Sequence, residues 1–172
     1  MELRKLTQLS MLLALAVVLN IFESMIPILG NIIPGSKLGL ANIVILFVIY
    51  IYGFKDAVFI SLMRVLLVGI LRTGLFNIVF FFSLGGGIIS VIAMSLVHRF
   101  TKLSIIGVSI IGAIFHSIGQ ILIAIIGLKL PNMIFYLPYL LIISVPTGIV
   151  IGMISQKVIT FYKKVNKPAK EI

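Results

Sequence analysis

Residues 76–97 run Phe76-Asn-Ile-Val-Phe-Phe-Phe-Ser-Leu-Gly-Gly-Gly-Ile-Ile-Ser-Val-Ile-Ala-Met-Ser-Leu-Val97, with no charged side chain until His98-Arg99 follows. A helix rises about 1.5 Å per residue, so this stretch crosses the ~30 Å hydrocarbon layer of a bilayer in one pass. The rest of the chain has the same character. Of its 172 residues 61% are hydrophobic and 10% charged, whereas roughly a quarter of a soluble domain carries charge. Lipid rather than water is the main solvent.

Working outward from that stretch, the sequence predicts an all-α integral membrane protein of six transmembrane helices in one domain, residues 1–172. The expected spans are 6–26, 38–52, 56–71, 76–97, 104–128 and 135–161. Pro27 closes the first and Gly53 the second, and Pro138 and Pro146 lie in the sixth. Spans two and three are short, so a re-entrant pair is the alternative to two full crossings. The first span is too long for a cleaved signal peptide, has no Ala-x-Ala site after it, and is expected to be retained.

Basic residues set the orientation, because cytoplasmic loops hold an excess of Lys and Arg. With the N-terminus inside, Arg4, Lys5, Lys55, Arg99, Lys102, Lys157, Lys163, Lys164, Lys167 and Lys170 all fall at cytoplasmic ends. Only Lys37, Arg72 and Lys129 face outward, and Arg64 stays inside the membrane. Both termini are therefore expected in the cytoplasm, with the protein a multi-pass component of the cell membrane. Most of the net charge of +10 is accounted for by topology, so no nucleic-acid partner is expected. The basic tail fits attraction to anionic membrane lipid.

Several polar groups are not explained by orientation. Arg64 lies midway through span three, where an ionisable group is costly unless it faces a cavity or a partner. Arg72 follows eight residues later, about 12 Å along the axis and roughly 80° around it. Both then line one side of an outward-opening pocket, or Arg72 snorkels to the headgroups. His116 and Gln120 share a helix face, and either contact a ligand or bond a neighbouring helix. Glu23 sits near the outer end of span one, with Arg72, Arg64 and Lys37 as candidate partners. Asn20, Asn42 and Asn77 also fall in outer halves of spans. The run Gly85-Gly86-Gly87 is either a broken helix offering backbone groups to a ligand or a close packing surface. Ser10 and Ala14 form a small-xxx-small arrangement suited to a partner helix.

Catalytic classes are poorly served. There is no cysteine, and His98 and His116 are the only histidines, neither with a carboxylate within a helical turn. Gly30 to Lys37 lacks the Gly-Lys-Ser/Thr ending of a phosphate loop and follows no strand. The four acidic residues, Glu2, Glu23, Asp56 and Glu171, include no aspartate-rich cluster of the kind that holds Mg²⁺ for diphosphate chemistry. No enzyme activity and no cofactor or metal is expected.

Glu23-Ser-Met-Ile-Pro27, Pro34-Gly-Ser-Lys-Leu-Gly-Leu-Ala-Asn-Ile43, Gly53-Phe-Lys, Arg64-Val-Leu-Leu, Phe82-Ser-Leu-Gly-Gly-Gly87 and His116-Ser-Ile-Gly-Gln120 together resemble a family known both as the Gx transporter family and as heptaprenyl diphosphate synthase component I. That family in turn resembles the substrate-binding S components of energy-coupling factor (ECF) transporters. The resemblance implies six helices, a ligand pocket near the outer face, and a first helix that meets a transmembrane coupling subunit driven by two ATPase subunits. The expectation is a substrate-capture subunit for a small anionic or amphipathic metabolite, such as a vitamin or an isoprenoid or quinone precursor. Glu23, Lys37, Asn42, Arg64, Arg72, Asn77, His116 and Gln120 are the candidate substrate-binding residues, and Ser10 and Ala14 the candidate partner contact. The second family name implies instead a membrane accessory subunit of a prenyl diphosphate synthase.

Overall fold

A computed structural model describes residues 3–25, 39–127 and 129–165. Lys37, Lys167 and Lys170 lie outside the described residues. The described residues form six α-helices: α1 (Leu3–Met25), α2 (Ala41–Ile51), α3 (Phe54–Val68), α4 (Ile78–Phe100), α5 (Ile105–Leu122) and α6 (Leu137–Val165). A π-helical turn, Gly69–Thr73, extends α3; another, Ile123–Gly127, extends α5; and a 3-10 turn, Pro131–Tyr136, leads into α6. There is no strand among the described residues. Stretches 3–23, 78–100, 105–127 and 131–165 are long and apolar enough to cross a membrane, which makes this a multi-pass membrane protein.

Cross-helix contacts fix the directions. Lys5 pairs with Asp56 at 2.7 Å, and Arg72 donates to the Ile21 carbonyl at 3.0 Å, so α1 and α3 run parallel. Tyr52 donates to Gln8 Oε1 at 3.0 Å while Glu23 meets Gly39, so α2 runs against α1. At one end of the bundle the Tyr50 ring lies 4.0 Å from that of His98, and Lys163 Nζ sits 5.8 Å from the Tyr50 ring centroid. The start of α1, the α2–α3 turn and the ends of α4 and α6 thus share a basic end. At the α2–α3 turn the chain reverses through Gly53, at φ +99°, a conformation that favours glycine.

The α2 helix is the centre. Val44, Ile45, Leu46, Val48 and Ile49 are all at most 4% exposed, and α1, α3, α4 and α6 surround it. A helix apolar on every side is one that packs on every side. It spans only about 17 Å, so its first residues begin inside the bundle rather than at its rim.

Small residues let the outer helices approach. The glycine run does not interrupt α4; it packs. A Cβ added at Gly86 would lie 2.9 Å from the His116 carbonyl oxygen, and one at Gly119 would lie 2.7 Å from the Gly85 carbonyl oxygen. Between α5 and α6 the same role falls to Gly148 and Gly152, whose added Cβ atoms would sit 2.8 and 2.7 Å from the Cα atoms of Ile110 and Ile106. Backbone contact of this closeness is how membrane helices gain dispersion energy where lipid supplies no hydrophobic driving force.

Candidate functional site

Arg64 lies ten residues into α3 and Asn42 nine residues from the basic end of α2, each about 15 Å from that end. His116 is carried to a similar depth by α5. Arg64 is 3% exposed. Gly87, opposite on α4, leaves it room: a Cβ there would stand 3.6 Å from Arg64 Nη2 and 3.2 Å from Ser61 Oγ. Nη1 makes a long bond to Asn42 Oδ1, 3.4 Å. Among the described residues Nε has no acceptor. A buried donor without a partner costs of order 1–3 kcal/mol, more when charged, so this atom calls for a ligand or an ordered water.

Glu23, 5% exposed, reaches from α1 to the entry of α2. Its carboxylate accepts from the backbone N–H groups of Gly39 and Leu40, the latter at 3.1 Å. Those groups stand at the positive end of the α2 dipole, where a carboxylate is stabilised. Its charge also acts on Arg64. Sequence reasoning sought its partners among cations; the hydrogen-bond donors placed beside it include main chain.

Three small cavities run on from this point. The first, about 10 Å³, is lined by Asn20, Glu23, Asn42, Arg64, Ser83 and His116, with Gly39 and Ala41. The second, about 30 Å³, shares Gly39, Asn42 and His116 and adds Ser117, Gln120, Ser144 and Thr147. The third, about 70 Å³, shares Gln120 and Leu140 and is otherwise walled by Phe82, Ile121, Ala124, Met133 and Tyr136. The tract begins polar and ends apolar, at the end of the bundle opposite the basic one. The first cavity has the volume of one ordered water, and ligand pockets are commonly ~300 Å³ or more. A metabolite therefore enters only if the dividing side chains, Asn42 and His116 or Gln120 and Leu140, move aside. A separate concavity of about 740 Å³ is an open groove lined by α6 residues alone and shares no wall with this tract.

Of the expected site residues, Glu23, Asn42, Arg64, His116 and Gln120 line the tract. Arg72 does not: it is exposed and holds the Ile21 carbonyl of α1. It lies in the π-helical turn Gly69–Thr73, two turns beyond Arg64 and toward the rim of the bundle, where it ties α3 to α1 instead of facing the tract. Asn77 is exposed and caps α4, accepting from the Val79 N–H at 3.4 Å. Ser10 and Ala14 are exposed on α1, whereas neighbouring Ala16 is fully buried. Ser83, Ser144 and Thr147 were not singled out from sequence. Ser144 and Thr147, one turn apart in an otherwise apolar stretch of α6, were the available signal, though their hydroxyls donate to carbonyls of their own helix. Asn20 proves central: it is 6% exposed, and its Oδ1 has no donor among the described residues.

Residues 12–158 match the family model of heptaprenyl diphosphate synthase component I, a range that contains every residue lining the tract. No curated protein and no solved structure matches the chain.

Proposed function

The chain belongs to the heptaprenyl diphosphate synthase component I family, and we propose that within it this protein is a substrate-binding membrane subunit, an S component of an ECF-type importer, and not itself a catalyst. The observation that carries this reading is the buried Arg64 guanidinium, with an Nε that has no acceptor among the described residues, at the head of a tract that turns from polar to apolar. Groups of that kind inside a bilayer mark binding sites and pathways. The chain passes through the cell membrane six times in this reading, α2 covering only part of the thickness from within the bundle, with both termini in the cytoplasm. Energy comes from a transmembrane coupling subunit and two ATPases, and the outward-facing Ser10 and Ala14 are the contact for the coupling helix.

A second reading, a membrane accessory subunit of prenyl diphosphate synthesis, is favoured by the family's description. A catalytic role in that synthesis is harder to support. The one aspartate of the chain, Asp56, is engaged by Lys5 at the basic end, away from the polar tract. Affinity purification from native membranes separates the two readings. Stoichiometric ATPases with a membrane partner support the importer; a soluble prenyl synthase in their place supports the accessory subunit and overturns the importer.

A further inference from the structure

Among the described residues, Glu23 and Arg64 are the only formally charged side chains lining the three cavities. They carry opposite signs, line one cavity, and interact electrostatically. Of the two further cations expected at the seat, Lys37 lies outside the described residues and Arg72 holds the Ile21 carbonyl at the surface. The positive end of α2 is likewise occupied, since the N–H groups of Gly39 and Leu40 already donate to Glu23. An incoming anion would therefore meet a carboxylate at the place where helix dipole and guanidinium would otherwise hold it, and like charges brought together in a low dielectric repel strongly. Among the described residues the seat does offer a donor without an acceptor, Arg64 Nε, and an acceptor without a donor, Asn20 Oδ1, both on side chains more than nine-tenths buried.

We propose that this seat takes the uncharged, hydrogen-bonding head of a small amphipathic molecule, such as an amide, a lactam or a quinone-like carbonyl beside a hydroxyl. The head accepts from Arg64 and donates to Asn20, and the apolar remainder lies toward Phe82, Ile121, Met133 and Leu140. Glu23 is then a specificity residue: it offsets Arg64 and turns anions away. This rests on the binding-subunit reading and narrows the anionic or amphipathic metabolite expected from sequence to an uncharged, amphipathic one.

The test uses the full chain in nanodiscs, dialysed against a deproteinised metabolite extract that has been split at pH 7 by anion exchange into uncharged and anionic pools. Retained compounds are read by mass spectrometry. The wild type is expected to retain a compound from the uncharged pool, and Arg64→Ala to lower that retention about tenfold or more, the usual effect of removing a charge-assisted hydrogen bond. Glu23→Gln, which removes the charge and keeps one of the two acceptor oxygens that serve Gly39 and Leu40, is expected to begin retaining anions. Wild-type retention from the anionic pool alone overturns the charge assignment and leaves the binding-subunit reading standing. No retention by the wild type above Arg64→Ala overturns both.

Discussion

Replacing Gly119 by alanine tests whether the site is held in place by helix contact. The new Cβ would lie 2.7 Å from the Gly85 carbonyl oxygen and 2.9 Å from Gly86 Cα. Both are backbone atoms that no rotamer change can move. Ordinary contact begins near 3.4 Å, so α4 and α5 must part by roughly 0.5–1 Å, and overpacking of this kind costs about 1–3 kcal/mol. The gain in helix propensity from glycine to alanine offsets roughly 0.5–1 kcal/mol, leaving a net loss centred on about 1 kcal/mol and at most about 2.5 kcal/mol. Gly107→Ala is the control, because its Cβ would meet only the Leu103 side chain and the Ser104 hydroxyl, at 3.4 Å and beyond; it is expected to be neutral or slightly stabilising. Reversible unfolding of both variants in mixed micelles, followed by circular dichroism, measures the difference. Gly119 is flanked on α5 by His116 and Gln120, so ligand retention should fall with stability. Unfolding of Gly119→Ala indistinguishable from wild type, or equal losses in the two variants, would refute the argument that backbone contact between α4 and α5 positions the site.

Glu23→Ala removes the acceptors of two half-buried N–H groups and should cost about 1–3 kcal/mol in the same assay, whereas Glu23→Gln, which keeps one acceptor oxygen, should cost less; equal losses would mean that the carboxylate charge, not the hydrogen bonds, fixes the entry of α2. Asp56→Asn breaks the 2.7 Å pair with Lys5 and removes an acid from the first turn of α3, a loss of about 0.5–1 kcal/mol that shrinks as salt is raised; a salt-independent loss would point to packing instead. The chain has no cysteine, so single cysteines report topology directly. In intact cells a membrane-impermeant maleimide should label Asn132→Cys and spare Lys55→Cys and Arg99→Cys, and labelling at Lys55→Cys would overturn the orientation.

Much of the architecture was legible because lipid imposes simple rules on sequence. The stretches 76–97 and 104–128 read from hydropathy correspond closely to α4 and to α5 with its π-helical turn, since an uninterrupted apolar run of about 20 residues is what a helical crossing of the hydrocarbon layer demands. Arg64 stood out for the same reason, and the structure places it with Glu23, Asn42 and His116 around one cavity. What hydropathy does not carry is helix phase and main-chain hydrogen bonding. The π-helical turn that carries Arg72 and that side chain's bond to the Ile21 carbonyl leave no mark in the pattern of apolar residues. The bonds from Gly39 and Leu40 to Glu23 involve backbone groups that every residue but proline has. Ser83, Ser144 and Thr147 are small polar residues of a kind common in membrane helices, and only three-dimensional convergence separates them from the others.

The most direct test of the central claim is native mass spectrometry of the protein, gently extracted from its own membrane, beside the Arg64→Ala variant. The account predicts a small molecule bound to the wild type, lost from the variant, with ATPases and a membrane partner in the same complexes. Wild-type protein free of any small molecule but bound stoichiometrically to a soluble prenyl synthase would contradict it.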